Sequence, residues 1–317
     1  MPASVSLPSC VATRIRGSPF SQLTPRISHV SCSEVRGILC LSDTHNPLAQ
    51  SARRDLVQQL DGAGFRVYDS ADVGDYQLVL LLGGDGFLLE SLHGLDFPST
   101  PVLGVNFGSV GFLMNTKACL SGLLAALQEW RFRSEELLVL EAEAELEDGG
   151  TTVLRAVNDF VIERLTGQGL RLRLSVDGRF FNQFSGDGLV FATPAGSTAY
   201  NLAAGGPVLH PDMRGIVVTP LYPHRAAPFH SLEFPLVVPV TAKLQIEADD
   251  LPKRGLRLLA DGRPLRRVTT IRIRDAGRRV RLLRLEEHRF IETLSRKFIG
   301  ESETTSDGRP RGREGGS

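Results

Sequence analysis

A carboxylate set among glycines is the first group in this chain whose placement suggests chemistry. Five consecutive apolar residues, Leu78–Leu82, run into Gly83-Gly84-Asp85-Gly86, and a helical pattern follows. Glycines allow a tight turn, positive φ and close approach of a phosphate to the N–H groups at a helix start. Gly-Gly-Asp-Gly alone serves equally well as a plain turn. Asp85 weighs against the plain turn, because a carboxylate inside a phosphate cradle repels its ligand unless it binds a metal, takes a proton or accepts a hydroxyl. A second strand-then-glycine stretch, Pro101–Leu113, carries Asn106, Gly108 and Gly111. Neither loop reads GxGxxG or contains the GK[ST] of a P-loop, which disfavours a nicotinamide dehydrogenase and a Walker-type ATPase. With no lysine beside either loop, charge on a transferring phosphoryl group would be met by Mg²⁺, backbone N–H groups or a distant arginine.

A third stretch, Asp187–His210, breaks a strand (Leu189–Ala192) at Thr193-Pro194, and Ser197-Thr198 opens a short helix closed by Gly205-Gly206. It reads either as a connecting helix or as a helix start and a ring, Tyr200, presented to a ligand. Asn158-Asp159, at the head of a strand, is also a serviceable turn.

The elements that must position these groups change character once. From Gly37 to about Arg133, strands at Ile38–Leu41, Phe65–Tyr68, Leu78–Leu82 and Val102–Val105 alternate with helices at Leu48–Leu60 and around Leu120–Trp130, as in a parallel sheet covered on both faces. Beyond Arg133 the period falls to two. Leu170, Leu172, Leu174 and Val176 alternate with polar residues, and Asp177-Gly178 supplies a hairpin turn before Arg179–Phe184. Further strands are expected at Leu137–Leu146, Val153–Val157, Leu236–Val240, Leu244–Ala248, Leu256–Leu259, Thr270–Arg274 and Val280–Leu285, then a helix from about His288 that returns to the first domain. The expected organisation is an α/β, Rossmann-like domain over residues 37–133 and a β-rich, mostly antiparallel, sandwich-like domain over 134–299. Residues 1–36, serine-rich with one acid, Glu34, and residues 300–317 are expected to be disordered extensions, the first alternatively a transit peptide.

Composition excludes several classes. With 36 basic and 36 acidic residues and 42% apolar content, the chain has no bulk attraction to nucleic acid or anionic membrane. Apolar runs as short as Leu78–Leu82 cannot span a bilayer. Cys10, Cys32, Cys40 and Cys119 show no metal-type spacing and no disulfide framework, which suits a reducing compartment. The arginines from Arg266 to Arg284 alternate with apolar residues as solvated strand faces do, without the interleaved aromatics of a single-strand nucleic-acid surface.

Taken together, Gly83–Gly86, the NxGxxGFL of Asn106–Leu113, Asn158-Asp159 and the ATPAGSTAYNLAAGGP within Asp187–Pro207 stand in the order and spacing of the NAD kinase family, which the chain resembles over about residues 37–299. A GGDG loop alone also resembles lipid kinases and phosphofructokinases; the TPxGSTAY segment with Asn-Asp is more specific. The resemblance implies transfer of the γ-phosphoryl of ATP, or of polyphosphate, to the 2′-hydroxyl of the adenosine ribose of NAD, with a divalent metal, usually Mg²⁺. It implies a site between the two domains. Asp85 would accept the proton and hold the ribose, with Gly86 letting the dinucleotide lie close. Asn158 and Asp159 would bond NAD, Asp187 would meet its nicotinamide end, and Thr198, Ala199, Tyr200, Asn201, Leu202 and Ala203 would line its pocket. Gly83, Gly84, Asn106, Gly108 and Gly111 would form the phosphate loops. It further implies a homodimer or homotetramer in which a neighbouring chain can complete the site. The expected location is cytoplasmic, or a plastid or mitochondrion if residues 1–36 are an address.

Glu90, Gly169, Ser185 and Arg263 depart from residues common in that family and bear on donor details and on NAD against NADH. Glu90 and Arg263 motivate one alternative, a non-catalytic dinucleotide sensor; a lipid or sugar kinase is the other. His224 is read as structural, since no second ligand stands near it in sequence.

Overall fold

The structure is a computed structural model, and it describes residues 37–298 apart from 73, 110, 225–230, 250–254 and 286–289. Expectations for residues 1–36 and 300–317 lie outside the described residues.

The chain begins with β1 (Gly37–Ser42), α1 (Pro47–Gly62), β2 (Arg66–Tyr68), β3 (Leu78–Gly83), α2 (Asp85–Gly94), β4 (Val102–Asn106) and α3 (Leu120–Glu129). Helix α1 starts where its residues dictate: the Asn46 side chain accepts the N–H groups of Leu48 and Ala49 at 3.1 Å, and Pro47 occupies the first turn, where it forfeits no bond. Its Ala49, Leu56 and Leu60 are buried. Strand β3 is buried at every position, as a central parallel strand requires. Strands β2, β1, β3 and β4 pair in that order, all parallel.

The remainder is mostly strand: β5 (Arg133–Leu146), β6 (Thr151–Ala156), β7 (Asp159–Arg164), β8 (Leu170–Val176), β9 (Arg179–Gly186) and β10 (Gly188–Ala192) precede a short helix α4 (Tyr200–Ala203). Then come β11 (Gly215–Leu221), β12 (Leu236–Pro239), β13 (Leu244–Ala248), β14 (Leu256–Ala260), β15 (Arg263–Arg266), β16 (Val268–Arg284) and α5 (Phe290–Phe298). The β8–β9 hairpin turns through Asp177 and Gly178, both at positive φ (51° and 73°), the geometry for which Asp-Gly is selected.

Two sheets result. Strands β12, β11, β10, β7, β14 and β15 form an antiparallel six-stranded sheet. The other has ten strands, and β16 joins its parallel and antiparallel parts: one edge pairs with β5 along most of its length, while the other pairs with β13 near its start and is parallel to β4 at Leu282↔Val102. One core cluster, including Phe160, Ile162, Phe184, Phe191, Ile216, Ile246 and Ile271, fills the space between the six-stranded sheet and the antiparallel part. A second, including Leu39, Val79, Leu88, Leu92, Val102, Leu113, Val139, Val157 and Leu282, underlies the α/β part. The architecture is thus α/β and Rossmann-like toward the N-terminus and β-rich and sandwich-like after it. None of the helices among the described residues is long and apolar enough to cross a membrane.

Three details differ from expectation. Thr270–Arg274 and Val280–Leu285 are not separate strands but parts of β16, because a register shift between Asp275 and Arg279, with Gly277 at φ 67°, lets pairing resume. The helix expected from Ser197 divides into a 3₁₀ turn, Ala195–Thr198, and α4, interrupted by Ala199 at φ −92°, ψ −130°. Strand β11 carries no period-two signal, since all seven of its residues are buried.

Candidate active site

At the end of β3 the chain enters α2 through Gly84, an extended N-cap with φ −113° and no side chain to bond the helix N–H groups. Asp85 is the first helical residue, where a negative charge suits the helix dipole. Its carboxylate faces the second glycine loop. Oδ2 accepts the N–H of Phe112 at 2.7 Å, and the N–H of Leu113 lies 3.3 Å from both oxygens. Gly111 is what permits this, since a Cβ there would land on the Asp85 carboxylate. Gly86 is exposed, and a Cβ on either Gly84 or Gly86 would meet open space. The two glycine loops lie side by side: Gly83 pairs with Asn106, Phe107 N–H donates to Gly83 O at 2.6 Å, and Asn106 closes its own loop by accepting Gly108 N–H (2.8 Å) and donating to Ser109 O (2.5 Å).

That loop is also held from behind. Arg284, the last residue of β16 and 4% exposed, donates to Phe112 O at 2.9 Å, to Leu113 O at 3.0 Å and to Glu135 Oε2 at 2.7 Å. Asn115 ties β4 to β16, donating to Gly104 O and Leu283 O (both 2.9 Å) and accepting Leu285 N–H (3.0 Å). Helix α5 covers the same place, with Phe290 and Phe298 5.9 and 6.0 Å from the Phe112 ring.

Asn158, between β6 and β7, and Asp159, the first residue of β7, gather around a buried carboxylate that the sequence motifs did not single out. Asp261 accepts N–H groups from Val157 (3.0 Å), Asn158 (2.7 Å) and Asp159 (3.2 Å), and its Oδ2 lies 3.0 Å from His93 Nε2, in the last turn of α2. Thr193 adds a hydroxyl bond to Val157 O (2.5 Å), and its N–H donates to Asn158 O (2.9 Å). Gly196 must lack a side chain, because a Cβ would strike the Asn158 backbone. Asn158 Oδ1 is buried without a partner among the described residues. Burial first, and the Asp261 charge second, raise the Asp159 carboxyl from its ordinary 3.8 to about 7.

In the 193–210 segment the expected ligand-facing residues divide. Asn201 is wholly buried: its amide donates to Ser197 O and Pro207 O (both 3.0 Å) and accepts the Thr219 hydroxyl (2.6 Å). Its side chain is therefore internal, spent on bonds within the segment and to β11. Thr198 is buried, with its hydroxyl 3.3 Å from Ala195 O. Ala199 and Leu202 are half-buried and Ala203 is exposed. The Tyr200 ring is 46% exposed, and its hydroxyl is raised above the ordinary range by partial burial and then by Glu163, Tyr222 and Asp159. Asp187, half-buried, pairs with Arg164 Nε at 2.8 Å.

The departures are equally placed. Glu90 and Arg263 are exposed. Ser185 Oγ is 3.0 Å from His224 Nδ1, and a Cβ at Gly169 would strike that ring, so His224 occupies space that a larger residue at 169 would need. Among the described residues no cluster of three or more His, Cys, Asp or Glu forms a metal cage.

Sequence reasoning missed Asp261, His93, Arg284 and Thr193. Asp261 and Gly262 turn between β14 and β15 at positive φ (46° and 83°), and the contacts that give Asp261 its role come from residues about 100 and 168 positions away.

Comparisons with known proteins agree with this layout. The family model described as the ATP-NAD kinase N-terminal domain matches residues 44–127, and that of the ATP-NAD kinase C-terminal domain matches 157–284. An NAD kinase of Porphyromonas gingivalis is 37% identical over 226 residues, 70% of this chain and 75% of its own. An NAD kinase of Syntrophotalea carbinolica is 35% identical over 279 residues, 80% of this chain and 95% of its own. Among solved structures, yeast NADH kinase complexed with NADH superposes with a TM-score of 0.73 at 20% identity, covering 86% of this chain and 89% of that one. An NAD kinase from Archaeoglobus fulgidus in complex with ATP gives 0.65 at 21%, covering 81% and 97%. At such identities the likeness to the two structures is one of fold.

Proposed function

The chain belongs to the NAD kinase family, and from that premise we propose how its residues carry out the ATP-dependent phosphorylation of NAD. The observation that carries the reading is the Asp85 carboxylate, fixed at the start of α2 by the Phe112 and Leu113 amides and bordered by the open surface of Gly84 and Gly86. In this reading the 2′-hydroxyl oxygen of the adenosine ribose attacks the γ-phosphorus of ATP. The new O–P bond forms as the bond to the bridging oxygen breaks, ADP leaves, and the hydroxyl proton passes to Asp85. A carboxylate is too weak a base to deprotonate an alcohol beforehand, so Asp85 orients the hydroxyl and takes its proton late, through a loose transition state.

The glycine loops of Gly83–Gly86 and Asn106–Gly111 supply backbone N–H groups to the phosphates of ATP. Asn158 Oδ1, buried and without a partner among the described residues, suits a donor on the NAD adenosine half, with the Asp159 carboxylate beside it. Asp187 stands toward the nicotinamide end. Thr198, Ala199, Tyr200, Leu202 and Ala203 line the pocket, while Asn201 holds their backbone in shape. A divalent cation such as Mg²⁺ would, when bound, neutralise charge on the phosphates, and Asp85, the carboxylate beside these loops, would hold it together with phosphate oxygens.

The test incubates purified protein with ATP, Mg²⁺ and NAD and reads the product with an NADP-specific dehydrogenase. NADP formed in proportion to enzyme is the expected result. NAD binding without product would overturn the reading.

A further inference from the structure

Arg284 lies outside every glycine motif, yet it reaches the site through a single peptide group. Its Nη2 donates to Phe112 O, and the same peptide's N–H, on Leu113, points at the Asp85 carboxylate. A guanidinium on the oxygen and a carboxylate on the N–H lie along the dipole of that peptide group, so the two bonds polarise one another. Nη1 holds Leu113 O, and Glu135 holds Nε. A guanidinium only 4% exposed needs such partners, and three of its donors face the loop or its support. On the other side, Asp85 is half-buried beside exposed Gly86, free to swing outward were the amides to move.

Resting on the reading of Asp85 as proton acceptor, we infer that Arg284 is a positioning residue for phosphoryl transfer. Through the Phe112–Leu113 peptide it fixes where the Asp85 carboxylate stands, and Gly111 keeps the space that the carboxylate fills. A general base works only within hydrogen-bond reach of its proton, and a displacement of about 1 Å is enough to lose about 10²-fold in rate.

The experiment compares Arg284→Gln, Arg284→Lys and Gly111→Ala with wild type and with Asp85→Asn, measuring kcat, KM for NAD and ATP, NAD binding by calorimetry, and thermal unfolding. For Arg284→Gln and Gly111→Ala the expected result is a kcat about 10- to 100-fold lower. Their KM and NAD Kd stay within about threefold of wild type. Lysine keeps the charge but reaches only one carbonyl, and should recover several-fold of the lost kcat.

An arginine that merely supports the fold would lower the unfolding temperature and the active fraction, leaving kcat per folded molecule intact, and that result overturns the inference. Where Arg284→Gln does not fold, Gly111→Ala decides, because it leaves Arg284 and its partners in place and sets a Cβ where the Asp85 carboxylate stands; a kcat within about twofold of wild type refutes the positioning role. Near wild-type turnover in Asp85→Asn would instead sink the underlying reading of Asp85. A large loss in Asp85→Asn beside intact turnover in the other variants would sink this inference alone.

Discussion

His93 Nε2 lies 3.0 Å from Asp261 Oδ2, which fastens the last turn of α2 to the carboxylate that gathers the backbone of Val157, Asn158 and Asp159. The helix that begins with Asp85 and the turn that presents Asn158 are thereby parts of one assembly. Asp261→Ala would strip an acceptor from three backbone N–H groups. At about 1–3 kcal/mol for each buried donor left unpaired, the expected loss exceeds about 3 kcal/mol. Urea unfolding measures it, and a loss below about 1 kcal/mol would contradict the arrangement. His93→Ala removes one partner and should cost about 1–2 kcal/mol.

Replacing Asp85 with Asn keeps an oxygen for the Phe112 amide but removes the group that takes the proton. Turnover should fall about 10²- to 10⁴-fold, with NAD affinity by calorimetry little changed. Retention of near wild-type kcat would refute the assignment.

Asp159 makes stability depend on pH in a direction opposite to that of an ordinary surface carboxylate. Its folded value, about 7, exceeds the ordinary 3.8, so between these values the native state binds more protons than the unfolded chain, and stability falls as pH rises through that window. At about 1.4 kcal/mol per pH unit the loss has an upper bound of roughly 4 kcal/mol. Asp159→Asn carries no such charge. Compared with wild type it should be more favourable at pH 8 than at pH 5 by up to a few kcal/mol in urea titrations. The same difference at both pH values would show that Asp159 is not the titrating group.

Asn201 offers a separate test, because its amide bonds Ser197 O, Pro207 O and the Thr219 hydroxyl, all within the scaffold. Thr219→Val should cost about 1–3 kcal/mol of stability through the acceptor left behind, with kcat of the folded enzyme unchanged. A selective rise in KM for NAD without loss of stability would show that this side chain faces the ligand after all.

Local pattern made most of the fold legible. The strands of the α/β half and the β8–β9 hairpin follow from short apolar runs, leucine alternation and Asp-Gly, all readable within a few residues. Strand β11 escaped because burial on both faces removes alternation, and the unity of β16 escaped because an irregularity at Asp275–Arg279 resembles a turn. In the site, a carboxylate among glycines marked Asp85, whereas Asn158 was marked by the family resemblance. Asp261 and Arg284 gave no local sign, since what defines them is a set of backbone groups brought in from distant parts of the chain. Asn201 shows the converse, a residue in a ligand-type motif whose side chain serves the scaffold.

Strand β16 also limits how the molecule can move. One unbroken ribbon borders β5 along one side and β13 and then β4 along the other, so swinging one half against the other like a jaw would tear its ladder.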